Sequence, residues 1–341
     1  MVKEIGLKPI AAGSPPPVIE SLYFGGGTPS LLNEQDLLMI FASLNEKFIL
    51  VDDIEITLEA NPDDITASKL LEWRTMGINR LSVGIQSFND EELKWMNRSH
   101  TAAASCQCIN QIIEAGFSNF SVDLIYGSPL LTDREWEENL SRVSGKNVPH
   151  VSCYALTVEP NTALHKMIDQ KLKKPVDPGK QAGQFLLLMD WMRQAGYEHY
   201  EISNFAKPDM RSRHNSSYWS GAAYFGFGPS AHSFSGRKRS WNIANNALYI
   251  KNIQEGIIPA EEEILTPNQQ LNEYIMTSLR TIDGLDLDHV SSTFGIPYSQ
   301  QLLDNAKKWE AGGKLKTAGQ KIILTNEGKL FADGIAAGLF F

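Results

Sequence analysis

Ser21-Leu22-Tyr23-Phe24-Gly25-Gly26-Gly27-Thr28-Pro29-Ser30 is a short apolar run stopped by three glycines, and apolar residues at helical spacing follow it: Leu37, Leu38, Ile40, Phe41 and Leu44. That strand, glycine turn and helix set the pattern for what comes next. Residues 54–60 form a strand leading into Asn61-Pro62, and a helix over 66–75 ends near Gly77. Residues 80–86 are the next strand, followed by helices over 90–96 and 102–115, then a strand over 120–126, a helix from 133 to about 143, and a strand over 151–158. Strand starts near 21, 54, 80, 120 and 151 recur at an interval of roughly 30, the size of one β/α unit. Strands alternating with helices imply a parallel sheet. Five such units predict an α/β fold built as an incomplete TIM-like (β/α) barrel rather than an open doubly wound sheet.

Composition narrows the function classes. Lys plus Arg is 31 and Asp plus Glu is 40, a formal charge of −9, which argues against nucleic acid as a partner. No run reaches the roughly 18 apolar residues of a membrane span. Met1-Val2-Lys3-Glu4-Ile5 has no basic region ahead of an apolar one, so the default expectation is cytoplasmic, with peripheral membrane association still compatible. The 341 residues divide into three expected spans: 1–200 as the partial barrel, 201–258 as an aromatic-rich loop region, and 259–341 as a smaller, mainly helical, winged-helix-like domain of three helices and a hairpin. On an acidic chain that last module reads as a docking or lid element. The three cysteines, Cys106, Cys108 and Cys153, match neither a disulfide framework nor a common metal spacing.

In a (β/α) barrel the chemistry collects at the carboxyl ends of the strands. Here those ends carry Gly25 to Thr28, Glu59, Asn61, Gln86, Asp123 and Tyr154-Ala155. Glycines let backbone N–H groups approach a ligand closely, and the sequence is neither a P-loop nor a dinucleotide fingerprint. A sharp strand-to-helix turn is the plain alternative. A carboxylate at Glu59 or Asp123 can accept from hydroxyls or an amine, and Arg98 offers a planar donor fork for a carboxylate, so together with Gln86 they suit a nucleoside bearing an amino acid. Arg98 is otherwise an exposed helix-terminal cation.

Tyr23 to Ser30, Gly77-Ile78-Asn79-Arg80-Leu81-Ser82-Val83-Gly84-Ile85-Gln86-Ser87-Phe88 and Asp123-Leu124-Ile125-Tyr126-Gly127 resemble, in order, the motifs of radical S-adenosylmethionine (SAM) enzymes of the oxygen-independent coproporphyrinogen III oxidase group. The resemblance implies an incomplete TIM-like barrel with a helical carboxyl-terminal domain. It implies that SAM lies along Gly26, Gly27 and Thr28 and is lined by Glu59, Gln86, Arg98, Asp123 and Ala155. Within that group, Arg213-His214-Asn215-Ser216-Ser217-Tyr218-Trp219 is similar to the His-Asn-x-x-Tyr-Trp signature of HemW-type heme chaperones. The chemistry is compatible: the His214 imidazole can serve as an axial ligand of heme iron, Tyr218 and Trp219 can stack on a porphyrin, and the basic run Arg237-Lys238-Arg239 can pair with propionates. A structural role for His214 stays open, and His232 is a second candidate expected at the barrel mouth.

The resemblance breaks at one point. These proteins hold a [4Fe-4S] cluster on Cys-x-x-x-Cys-x-x-Cys, and no such motif stands in the 341 residues. Cys106 and Cys108, if helical, point about 200° apart. The chain either begins downstream of a longer protein's start or belongs to a homologue without the segment, and as written it is expected not to cleave SAM. The expected function is heme binding and delivery to acceptor apoproteins. The alternatives are oxidative decarboxylation of coproporphyrinogen III and a non-catalytic docking scaffold.

Overall fold

The computed structural model describes residues 1–10, 13 and 15–341. It forms two compact units: Met1–Leu22, Leu32–Glu55 and Arg213–Phe341 make one, and Tyr23–Leu31 with Ile56–Ser212 make the other. A seven-stranded sheet runs in the order β1-β2-β3-β4-β5-β7-β6, with β1 at Val18–Phe24, β2 at Ile49–Ala60, β3 at Arg80–Gln86, β4 at Phe120–Tyr126, β5 at His150–Ala155, β6 at Glu198–Glu201 and β7 at Asn204–Ala206. Strands β2 to β5 pair in parallel, and β7 returns antiparallel to β5. The β/α repeat read from the sequence is therefore present, although β1 and β2 begin earlier than expected. Asp52 and Asp53 break the apolar pattern in the first half of β2, which hid its start.

The two faces of this sheet differ in chemistry. Leu81, Val83 and Ile85 of β3, Phe120, Val122 and Leu124 of β4, and Val151 and Cys153 of β5 alternate along their strands and are buried. The residues between them are polar: Ser82, Ser121, Asp123, His150 and Ser152, with register pairs Ser82 to Ser121, Ser121 to His150 and Asp123 to Ser152. A barrel interior is ordinarily filled by branched apolar side chains. Here the apolar layer lies on one face only, and the other is left for a site.

The helices start where side chains satisfy their free N–H groups. Asn33 and Asp36 form a capping box for Glu34–Lys47, and Thr132 and Glu135 do the same for Asp133–Gly145. Residues 201–258, expected as loops, are more ordered than that. Besides β7 they contain a helix at Arg213–Trp219, β8 at His232–Phe234, β9 at Lys238–Asn242 and a helix at Asn246–Gln254. Strands of three to five residues are too short to show a period in sequence. His232 stands exposed on β8, not on a barrel strand.

Strand β10, Ala260–Ile264, pairs antiparallel with β9. Lys238 Nζ lies 2.6 Å from Glu262, and Arg239 pairs with Glu263 and Glu273, so two of the three cations of the basic run are neutralised by protein carboxylates. Beyond β10, the helices Pro267–Leu279, Leu287–Thr293 and Ile296–Ala311 pack with a small sheet in the order β11-β13-β12, with β11 at Leu285–Asp286, β12 at Leu315–Ala318 and β13 at Lys321–Leu324. Leu271, Ile275, Val290, Leu302 and Ile322 are its fully buried centre. Among the described residues no helix is long and apolar enough to cross a membrane.

Phe120→Ala, on the apolar face of β4, is expected to lower unfolding stability by about 3–5 kcal/mol in urea titration. Lys238→Ala, which removes a surface ion pair, is expected to cost less than about 1 kcal/mol.

Candidate functional site

A cavity of about 210 Å³ opens at the carboxyl ends of the strands, lined by Gly27, Thr28, Pro29, Glu59, Ala60, Asn61, Ser82, Gly84, Gln86, Arg98 and Asp123. This volume is below that of a pocket for a whole drug-sized ligand, and it suits one polar end of a larger molecule. Six residues expected from sequence therefore meet here: Gly27, Thr28, Glu59, Gln86, Arg98 and Asp123. Gly26 adjoins the cavity through its N–H, which donates to Glu59 Oε2 at 3.1 Å. Ala155 ends β5, one strand beyond Asp123, and is not among the residues that line this cavity.

Glu59 organises the glycine turn. Its Oε1 accepts the Tyr23 hydroxyl at 2.8 Å while Oε2 takes the Gly26 N–H. Each glycine has its own reason. A Cβ on Gly25 would lie 2.6 Å from the Tyr23 ring and 3.0 Å from Glu59 Oε1, and Gly26 and Gly27 have φ of 77° and 70°, where only glycine is at ease. Burial and the Glu59 charge hold the Tyr23 phenol well above its ordinary range, so it stays a donor.

The opposite wall is set by a backbone kink. Gln86 has a φ of 67°, and the Ser87 N–H donates to Ile85 O at 2.8 Å, so Gln86 is the centre of a strained γ-turn where β3 shifts register against β4. Arg98 is half-buried, and its Nη2 donates to Gly84 O at 3.0 Å and lies 3.4 Å from Asn61 Oδ1. A Cβ on Gly84 would lie 2.9 Å from both Arg98 Nη2 and Gln86 Nε2. Sequence reading missed Gly84, because a glycine inside a strand gives no sign of which side chains crowd it.

Asp123 carries the most unusual environment. Its Oδ2 accepts from Ser82 Oγ at 3.3 Å, while Oδ1 is buried with no hydrogen-bond partner. Burial, and then the Glu59 charge, pushes its carboxyl up to about 6. A buried acceptor without a donor is costly, so this oxygen is suited to a ligand's hydroxyl or ammonium group.

The aromatic motif forms a second constellation. The helix Arg213–Trp219 starts on Glu55, whose buried carboxylate accepts the main-chain N–H groups of Arg213 at 3.1 Å and His214 at 2.9 Å. His214 Nδ1 lies 2.9 Å from Ser21 Oγ, and Nε2 lies 3.2 Å from the Tyr218 hydroxyl. Tyr218 sits one helical turn from His214, with its ring edge-on at 5.1 Å. Trp219 is one residue further, about 140° around the helix from His214, and its ring lies under the Arg280 guanidinium at 5.2 Å. The structure thus joins His214 to Tyr218 and sends Trp219 elsewhere. Glu55 and Ser21 were not legible because their partners lie more than 150 positions away.

The cysteines do not assemble. Cys108 is buried on the helix Ala102–Glu114, donates to Ser105 O, and has its thiol pushed up to about 12 by burial. Cys106, on the same helix as Cys108, is half-exposed and accepts from Arg142 Nη1 of the helix Asp133–Gly145, and the Cys153 thiol is buried in β5 and held well above its ordinary range. Among the described residues no group of three or more His, Cys, Asp or Glu side chains is placed to hold a metal ion.

Two parts of the chain match family models: residues 10–143 match the radical SAM superfamily and residues 265–331 match the HemN C-terminal domain. A solved structure of Escherichia coli coproporphyrinogen III oxidase (HemN), a radical SAM enzyme, superposes with a TM-score of 0.80 over 95% of this chain and 78% of that one. At 24% identity it shows the fold, an incomplete TIM-like barrel with a smaller domain of helices and strands. The heme chaperone HemW of Bacillus subtilis is 32% identical over 94% of this chain and 85% of its own length, and HemW of Mycobacterium tuberculosis strain H37Rv is 30% identical over 95% and 81%. The chain belongs to the HemW family of the radical SAM superfamily.

Carboxyl carbon NMR is expected to show Asp123 titrating near pH 6, and Glu59→Gln, which removes one of the charges that raise it, is expected to move that midpoint down.

Proposed function

We propose that this chain binds heme through the Arg213–Trp219 helix and passes it to acceptor apoproteins, and that its strand-end cavity takes the methionyl end of SAM. The observation that carries the heme assignment is the imidazole of His214. Its Nδ1 lies 2.9 Å from Ser21 Oγ, and its Nε2 lies 3.2 Å from the hydroxyl of the exposed Tyr218. An imidazole held by one nitrogen presents the other to iron. Tyr218, exposed beside it, offers an aromatic face to a flat macrocycle. The relatives named as heme chaperones at 30–32% identity support the same assignment.

For SAM, the residues present fit the ligand's chemistry. Arg98 retains N–H donors for a carboxylate, the turn of Gly26, Gly27 and Thr28 offers backbone at close range, and Gln86 presents an amide. Glu59 and the unpartnered Asp123 Oδ1 face the cavity as acceptors for an ammonium or ribose hydroxyls. SAM, when bound, supplies a sulfonium and an adenosyl group. The chain's own part is to accept, orient and neutralise the polar ends.

A [4Fe-4S] cluster does not fit the thiols described here. Cys106 and Cys108 diverge on one helix and Cys153 is buried on a strand, so no radical step is derived from these residues.

Titration with hemin is expected to give a saturable Soret band shifted from that of free hemin, and His214→Ala is expected to weaken binding at least tenfold and to change the band position. An unchanged spectrum and affinity in His214→Ala would remove His214 from the heme site.

A further inference from the structure

We propose that Ser21 and Glu55, two residues outside the aromatic motif, are positioning residues that commit His214 to bind iron through Nε2, with the Tyr218 phenol occupying that nitrogen until iron displaces it. The inference rests on the assignment of His214 as heme ligand and adds how the ring is prepared for that role.

A neutral imidazole carries one N–H and one lone pair, and the hydrogen bond at one nitrogen decides which the other presents. Ser21 Oγ lies 2.9 Å from Nδ1. When the Ser21 oxygen accepts the Nδ1–H, the lone pair falls at Nε2, where the Tyr218 hydroxyl donates across 3.2 Å. Tyr218 is exposed, so its phenol can move away from that lone pair. Ser21 is on β1, so the nitrogen facing away from that strand is the one offered.

Holding the ring in place requires holding a seven-residue helix that is too short to be stable alone. Glu55 does this by taking the N–H groups of both Arg213 and His214 in one buried carboxylate, which satisfies two of the helix's free donors and complements its positive end. Arg213 adds a clasp on Asp53, to Oδ2 at 3.0 Å and to the main-chain oxygen at 2.8 Å. Outer groups that orient a metal-binding histidine typically contribute a factor of about 10 to 100 in metal affinity.

The test begins with nitrogen NMR of the heme-free protein, read beside hemin titrations. The wild-type His214 ring is expected as the Nδ1–H tautomer, and Ser21→Ala is expected to shift it toward Nε2–H and to weaken hemin binding about tenfold, with Ser21→Thr restoring both. Tyr218→Phe, which removes the competing phenol, is expected to tighten binding a few-fold without moving the Soret band. An Nε2–H tautomer in the wild type, or wild-type hemin affinity in Ser21→Ala, would overturn the proposal. Should Glu55→Gln fail to fold, Ser21→Ala and its threonine rescue decide the outcome. His214→Ala separates the two claims: if it keeps the wild-type spectrum, the ligand assignment itself falls. If it loses the spectrum while Ser21→Ala does not differ from wild type, only the positioning role falls.

Discussion

The Glu59 carboxylate is the constraint on which the strand-end cavity depends. One oxygen holds the Tyr23 hydroxyl and the other holds the Gly26 N–H, so the glycine turn is folded back over the end of β2. Without that bond pair, Gly26 and Gly27 have no reason to keep φ values near +70°, and the backbone edge of the cavity is lost. The same charge is one cause of the raised Asp123 carboxyl. One side chain thus shapes the rim and tunes the acceptor.

A sheet with one apolar and one polar face leaves the polar face in need of partners. Thr57 Oγ1, Arg80 Nε, Asp123 Oδ1, His150 Nδ1 and Asn204 Oδ1 are all buried without a hydrogen bond, and all sit on the register positions that alternate with the apolar core. Only Asp123 among them lines the cavity. That placement sets it apart from the other four, because only its unsatisfied oxygen belongs to a residue open to the cavity.

Where residues act through local spacing, the sequence was legible. The strand ends that carry Glu59, Gln86 and Asp123 could be found from apolar runs and turn residues, and these side chains do meet in one cavity. Arg98 was ambiguous because its role depends on Gly84 O, fourteen positions earlier. Long-range partners were invisible. Nothing near His214 points to Ser21 or Glu55, and nothing near Lys238 and Arg239 says that an acidic run will form β10 and neutralise them. Trp219 was grouped with Tyr218 through the shared aromatic motif, and the helix at Arg213–Trp219 turns them apart. Cys106 and Cys108 do lie on one helix, where their spacing alone turns them apart.

The two constellations share no residue: one consists of strand-end groups around Asp123, the other of the short helix around His214. The central claim is that they are separate binding sites for SAM and heme. Parallel calorimetric titrations of SAM and hemin into the wild type, Asp123→Asn and His214→Ala test it most directly. The account predicts that Asp123→Asn weakens SAM and leaves hemin unchanged, while His214→Ala weakens hemin and leaves SAM unchanged. Loss of both ligands from either variant, or of neither, would contradict it.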